Sequence, residues 1–581
     1  MLVSGKPLRQ RWLPVLFIFL TSIAVVLPLV RLGPSCGHDF DFHLLSWIEV
    51  LHDWHLGLIY PHWLASANYG AGEPRFIFYP PLSWLLGAGL GGVGRLIAGP
   101  NAAWIAAPII FTWVSILFAA LAVYALICSL ASRTSAAIVA CLFMVNPYLL
   151  FVAYERAAFA ELLATGFLAL LLLLALRETL NIISMSIVVA ALWLTNAPAA
   201  VMGCYLLAAV SLLRLVRERR IANAARAAVS CVLGIGLAGF YLVPAAFEQR
   251  WVQIERAVGE GMRVEDSFFF EHSGHLYHDK VLHTASIITT ILAVIGIVAA
   301  WIAWRHSKGE SQGKILTILL AGLLFLQFRF SDFAWRVLPR LKFLQFPWRW
   351  LVIVSIVAAC LLAMALDRLG KRRLASLLTP LVIVGSIWAC SHHFYNSCDA
   401  DDSVPGQLSS FHDGSGVQGT DEYTARDADN SDVLQDIPPL RVMTSVDAEL
   451  PEEGAGDNPE WISDWNFPTT VQARETIADW SAQHRRILLN APKPGFAVLT
   501  LMDYPAWHVT LNGGSPTLEH RDDGLIAFAV PAGHSTIEVQ WRNTRDIFWG
   551  RILSGIAAIA LLLVFFFGRR TTVKFSESVR C

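Results

Sequence analysis

Four short stretches carry residues able to do chemistry. The first, Gly37-His38-Asp39-Phe40-Asp41-Phe42-His43, places two carboxylates and two imidazoles directly after an apolar run. A carboxylate in a cleft at a membrane surface can act as a general base or hold a divalent cation. Asp39 and Asp41 share a face only if the segment is extended, whereas His43 lies one helical turn beyond Asp39. The second, Tyr154-Glu155-Arg156-Ala157-Ala158-Phe159-Ala160-Glu161, sits between two apolar runs. Ionisable groups there are costly unless paired, so Glu155, Arg156 and Glu161 are expected to serve a function. The third holds Arg336, Arg340, Lys342 and Arg349, the last two within Leu341 to Trp350. The fourth, Tyr69 to Pro81, contains Arg75 and ends on Tyr79-Pro80-Pro81. Arginines suit a lipid phosphate, and aromatic residues suit the water–lipid interface.

The elements that must position these residues are membrane helices. The 581 residues are 55% hydrophobic and 15% charged, with a mean hydropathy of +0.52. Soluble domains carry about 25% charged residues. Apolar runs at 12–32, 102–130, 135–153, 158–176, 180–196, 199–216, 226–246, 283–304, 315–328, 346–366, 375–393 and 548–567 predict about 12 spans, each near the length that crosses a bilayer. The run 12–32 follows Lys6, Arg9 and Arg11 with no small-residue cleavage site after it, and reads as an uncleaved anchor.

Basic clusters at Lys6/Arg9/Arg11, Arg133, Arg177, Arg214/Arg217/Arg219/Arg220, Arg305/Lys308/Lys314, Arg368/Lys371/Arg372/Arg373 and Arg569/Arg570/Lys574 fall at every second loop if the Gly-rich stretch 80–98 does not span. Basic loops face the cytoplasm, so both termini are expected there. The regions 33–101, 247–282 and 394–547 then face outward, as do the four cations of the third stretch. Cations on that face imply an anionic partner. Cys36 and Cys398 each follow an outward-going helix and can pair in an oxidising compartment.

Three regions follow. Residues 1–393 form a polytopic membrane domain. Residues 394–547 form an outward domain, irregular over 394–480 and β-rich over 481–547. Residues 548–581 hold the last helix and a basic tail. Alternating apolar positions at 486–489, 496–501, 507–511, 526–530 and 536–541, split by Asn512-Gly513-Gly514 and Pro531-Ala532-Gly533, predict a sandwich-like fold. A net charge of −1 gives no sign of nucleic-acid binding.

Gly37-His38-Asp39, Tyr60-Pro61-His62-Trp63 and Phe78-Tyr79-Pro80-Pro81-Leu82 resemble bacterial membrane proteins known as 6-pyruvoyl-tetrahydropterin synthase-related. Leu341 to Trp350, Gly419-Thr420-Asp421-Glu422-Tyr423 and Tyr504-Pro505-Ala506-Trp507 fit the same group and the YfhO-like proteins. No residue here supports pterin chemistry. The group is similar in plan to GT-C glycosyltransferases, and that resemblance implies a bacterial plasma-membrane enzyme with a sugar donor on a polyprenyl phosphate. It implies Asp39 as general base, with Asp41 and Glu161 as further catalytic acids. Arg75, Arg156, Lys342 and Arg349 are expected at the donor phosphate, and His38, His43, Tyr79, Glu155, Asp421, Glu422 and Tyr423 around the substrate. The acceptor is a glycan, a lipid or a protein. No residue set is assigned to a metal, although a divalent cation is compatible with such an enzyme. A transporter or flippase of lipid-linked glycans, or a non-catalytic envelope-assembly protein, is the alternative reading.

Overall fold

Segments of some twenty apolar residues satisfy their backbone polar groups internally only as helices. The computed structural model describes residues 9–259, 262–305, 311–435, 437–448 and 468–568. Lys6, Lys308 and the basic tail from Arg569 lie outside the described residues. Among the described residues nine helices are long and apolar enough to cross a membrane. Those that bear on the site are α1 (Arg9–Leu32), α5 (Pro100–Cys128), α8 (Phe159–Leu176) and the stretch Arg133–Glu155. The last of these runs through α6 (Arg133–Met144), α7 (Pro147–Leu150) and a π-helical turn, Phe151–Glu155. Between α1 and α5 lie α2 (Phe40–His55), α3 (Arg75–Phe78) and α4 (Pro81–Ala98); α4, the stretch expected not to span, is not among the nine.

The twelve expected runs resolve into these nine, two bent pairs and one short helix. Ile221–Leu237 and Gly239–Trp251 meet at 74°, and Gln312–Phe325 and Arg329–Val337 at 100°. Ile182–Thr195, with 14 residues, falls short of the ~20 a bilayer needs. Among the described residues the span count is therefore 9 to 11 by length and composition.

The C-terminal unit has two four-stranded antiparallel sheets. One is ordered β1 (Leu440–Met443), β4 (Gly495–Met502), β7 (Leu525–Val530), β6 (Leu518–Glu519); the other β2 (Arg474–Trp480), β3 (His484–Ala491), β8 (Gly533–Trp541), β5 (Trp507–Leu511). Five of these strands, β3, β4, β5, β7 and β8, coincide with the segments read from sequence, and burial alternates along β3, β5 and β8 while β4 and β7 are buried on both faces. β1 and β2 come from the stretch expected to be irregular, which also holds a helix at Val404–Asp413. Residues inside both sheets form one core. It continues onto the loop after α2 through Trp63, whose ring meets those of Tyr504, Trp507 and Trp541 at 5.7, 5.7 and 5.8 Å.

Candidate active site

Three chain segments far apart in sequence are tied together where α1 ends. Cys36 and Cys398 form a disulfide, as their placement allowed. Beside it the Cys36 N–H donates to Asn396 O (3.1 Å), and Ser35 Oγ donates to Tyr154 O (2.8 Å). The next residues run along the turn 155–157: the His38 N–H donates to Glu155 O (3.3 Å) and the Asp39 N–H to Arg156 O (2.9 Å). Ala157 turns with a positive φ of 48°, and π-helical turns such as 151–155 recur at functional sites. The Asn396 amide also donates to the Glu155 carboxylate (3.4 Å).

Asp39 occupies the N-cap of α2, where an aspartate usually accepts a backbone N–H. Here its side chain makes no capping bond. Oδ1 is 2.7 Å from His38 Nδ1, and Oδ2 accepts from Arg156 Nη2 at 3.2 Å. Arg156 Nη1 donates to Glu161 Oε2 at 2.6 Å, and the Tyr148 hydroxyl donates to Glu161 Oε1. The Arg156 guanidinium lies 5.1 Å from the centroid of the Trp348 ring. Next to Trp348 in sequence, Arg349 falls within electrostatic reach of Arg156, Glu161, Asp39 and Tyr148. Its Nη1 donates to Leu344 O (3.0 Å). Its Nε is buried and has no hydrogen-bond partner among the described residues. Tyr79 is influenced by the same charges, and its hydroxyl is 3.5 Å from His43 Nε2.

The electrostatics follow from this packing. Burial raises the Asp39 carboxyl, but the Arg156 charge and the His38 hydrogen bond outweigh it and hold the group well below the usual carboxylate range. The hydrogen bond to Asp39 raises the His38 imidazole against burial. Burial pushes His43 down to about 4, so it is neutral at pH 7. Glu161, 4% exposed, is the buried counter-ion of Arg156.

The remaining expected site residues stand outside the ion-paired chain of Asp39, Arg156 and Glu161. Arg75 is spent within the protein: it donates to Glu73 (2.6 Å), Phe42 O, Ser46 and Thr420 (3.1 Å), and Glu73 in turn accepts the Thr420 N–H (2.7 Å). This knot fixes the 419–423 motif. There Asp421 is exposed and Glu422 half-buried, and Tyr423 stacks on Phe78 at 5.5 Å. Asp41 is exposed on the first turn of α2. Lys342 is also exposed and lies over Phe343 (5.7 Å). Among the described residues no three His, Cys, Asp or Glu side chains converge as a metal-binding set. Cavities of about 490 and 430 Å³ lie away from the cluster, the first lined by Arg256, Arg426 and Asp429, the second by Arg214, Glu178 and Glu218. Sequence reasoning missed Tyr148, Trp348 and Asn396. The pair Asn146-Pro147 is a helix-start signal that places Tyr148 in the first turn of α7.

A bundle of apolar helices with a paired acid–arginine cluster at one end and a β-sandwich after it defines a polytopic membrane protein. The chain belongs to the 6-pyruvoyl-tetrahydropterin synthase-related domain family of membrane proteins, whose model matches residues 76–397. No curated protein matches the chain. Solved structures it is similar to include the apo oligosaccharyltransferase of Archaeoglobus fulgidus, with 14% identity and a TM-score of 0.45 over 71% of this chain. Another is the arabinofuranosyltransferase AftD from mycobacteria, with 15% identity and a TM-score of 0.42 over 70% of this chain. The chain spans 60% of the length of the first and 27% of the second.

Proposed function

We propose that this protein is a membrane glycosyltransferase that moves a sugar from a polyprenyl-phosphate donor to a glycan, lipid or protein acceptor on the outer face of a bacterial plasma membrane. The observation that carries the reading is Arg349. Its guanidinium sits beside the Asp39–Arg156–Glu161 chain with a buried N–H unmet among the described residues. Leaving such a donor unpaired costs about 1–3 kcal/mol or more. The phosphate of a lipid-linked sugar would satisfy it, and Arg349 would stabilise the charge that grows on the leaving phosphate. Arg156, already held by Asp39 and Glu161, would orient Asp39. An inverting displacement then needs one base for the acceptor hydroxyl, and Asp39 or the group it holds supplies it. The Cys36–Cys398 disulfide supports an oxidising, extracytoplasmic location for this end of the bundle.

The two bent helix pairs are a feature a transporter of lipid-linked glycans would share, and turnover separates the readings. Purified protein is reconstituted with lipid-linked sugars extracted from the host membranes, and free polyprenyl phosphate is followed. A transferase releases it, with Arg349→Gln slower by about 10²-fold or more. Movement of intact lipid-linked sugar across the bilayer without release would establish the transporter instead.

A further inference from the structure

Resting on the glycosyl-transfer reading, and naming its proton acceptor, we infer that His38 takes the acceptor's hydroxyl proton while Asp39 fixes the imidazole that does so. The geometry assigns the two roles. Asp39 reaches Arg156 through Oδ2 and His38 through Oδ1, at 3.2 and 2.7 Å. Ionised against Arg156, it can only accept, so His38 Nδ1 carries the proton of that bond. In the neutral ring the lone pair is then on Nε2, which has no hydrogen-bond partner among the described residues. The His38 side chain is 52% exposed against 27% for Asp39. Its ring lies 6.0 Å from that of Tyr277, nearly parallel at 20°, which limits its rotation.

The groups that face His38 are Asp39 and Asp41 of its own segment, Arg156 and Glu155 of the 155–157 turn, and Tyr277 of the helix Leu276–Arg305. A carboxylate locked to an arginine has little basicity left, whereas the hydrogen bond to Asp39 raises the imidazole above its ordinary value and makes it the stronger base of the two. In the step, the acceptor O–H proton passes to His38 Nε2 as the acceptor oxygen attacks the anomeric carbon. The bond from that carbon to the phosphate oxygen breaks, and its electron pair leaves with the phosphate, facing Arg349. The imidazolium is stabilised by Asp39 and returns its proton to water across its exposed edge. Asp39 is therefore a positioning residue and His38 a catalytic one.

The test is the pH dependence of polyprenyl phosphate release by the reconstituted full chain, using the extracted lipid-linked sugar pool as the probe. In the wild type, kcat/KM rises by about tenfold per pH unit up to the His38 pKa and then levels. His38→Gln loses about 10²–10⁴-fold and its residual rate no longer follows that limb. His38→Ala regains activity on adding free imidazole, which a misfolded variant would not. Asp39→Asn loses rate and moves the limb to lower pH, because the carboxylate that raised the imidazole is gone. A His38→Gln enzyme that keeps the wild-type rate and limb overturns the assignment to His38 and leaves the glycosyl-transfer reading standing. A wild type that releases no polyprenyl phosphate at any pH overturns both.

Discussion

Gly37 carries no charge and has no role in the chemistry, yet replacing it should disable the site. A Cβ at that position would lie 2.5 Å from Glu155 O, 2.8 Å from Ala157 N and 2.8 Å from the Arg156 carbonyl carbon. All three are backbone atoms, so no side chain can swing aside. Ordinary contact with a methyl carbon begins at about 3.5 Å, so one wall must retreat by roughly 0.5–1 Å. Neither retreats freely, because Cys36 is bonded to Cys398 and Tyr154 O receives Ser35. Such a shift breaks the 2.9 Å bond from the Asp39 N–H to Arg156 O and stretches the 3.2 Å ion pair between their side chains. Misplacing a reacting group by about 1 Å costs on the order of 10²-fold in rate, and overpacking costs about 1–3 kcal/mol in stability. Gly37→Ala should therefore release polyprenyl phosphate about 10²-fold more slowly in proteoliposomes, with a modest fall in melting temperature in detergent. A variant as fast as the wild type would refute the claim that contact between 37–39 and 155–157 sets the site.

Further expectations test other parts of the account. Arg349→Met removes a half-buried guanidinium whose buried Nε is unmet among the described residues, so it should keep or raise the melting temperature while lowering transfer by about 10²-fold or more, a split seen by pairing thermal unfolding with turnover. Cys36→Ser with Cys398→Ser should cost about 2–5 kcal/mol and abolish the difference in gel mobility between reduced and unreduced protein. Asp53, buried on α2 beside Glu49, is pushed up to about 8, by burial first and the Glu49 charge second. Its folded-state value exceeds the unfolded one, so its contribution is greatest below about pH 4 and is lost as pH rises toward 8. Asp53→Asn should raise the melting temperature at pH 8 and flatten its decline between pH 5 and 8.

Sequence pattern made much of the fold legible, and the limits have physical causes. The strands β3, β5 and β8 announce themselves because buried and more exposed positions alternate along them, and β4 and β7 because they are short apolar runs buried on both faces. β2, Arg474–Trp480, is an edge strand rich in charge, and β1 has only four residues, so neither carries a usable alternation. The bends near Ala238 and Phe328 interrupt apolar runs that read as continuous, because hydropathy does not register a change of axis. At the site, Arg156 and Glu161 stood out because unpaired charges beside apolar helices are costly. Composition could not separate Arg75 from Arg349. Arg75 is neutralised by Glu73, two residues away, and donates a hydrogen bond to Thr420, 345 residues away, and only the fold reveals that second partner. Lys342 illustrates the same limit: a cation in the right segment points to solvent, while Arg349, seven residues on, faces the acids.

The central claim is that Asp39 and Arg349 serve transfer of a sugar from a lipid phosphate. It is met most directly by glycolipid and surface-glycan profiles of a strain lacking the gene, complemented with the wild type or with Asp39→Asn. The account predicts that the wild type restores the missing glycan and clears the accumulated lipid-linked sugar, while Asp39→Asn is present in the membrane and does neither. Equal restoration by both alleles would contradict it.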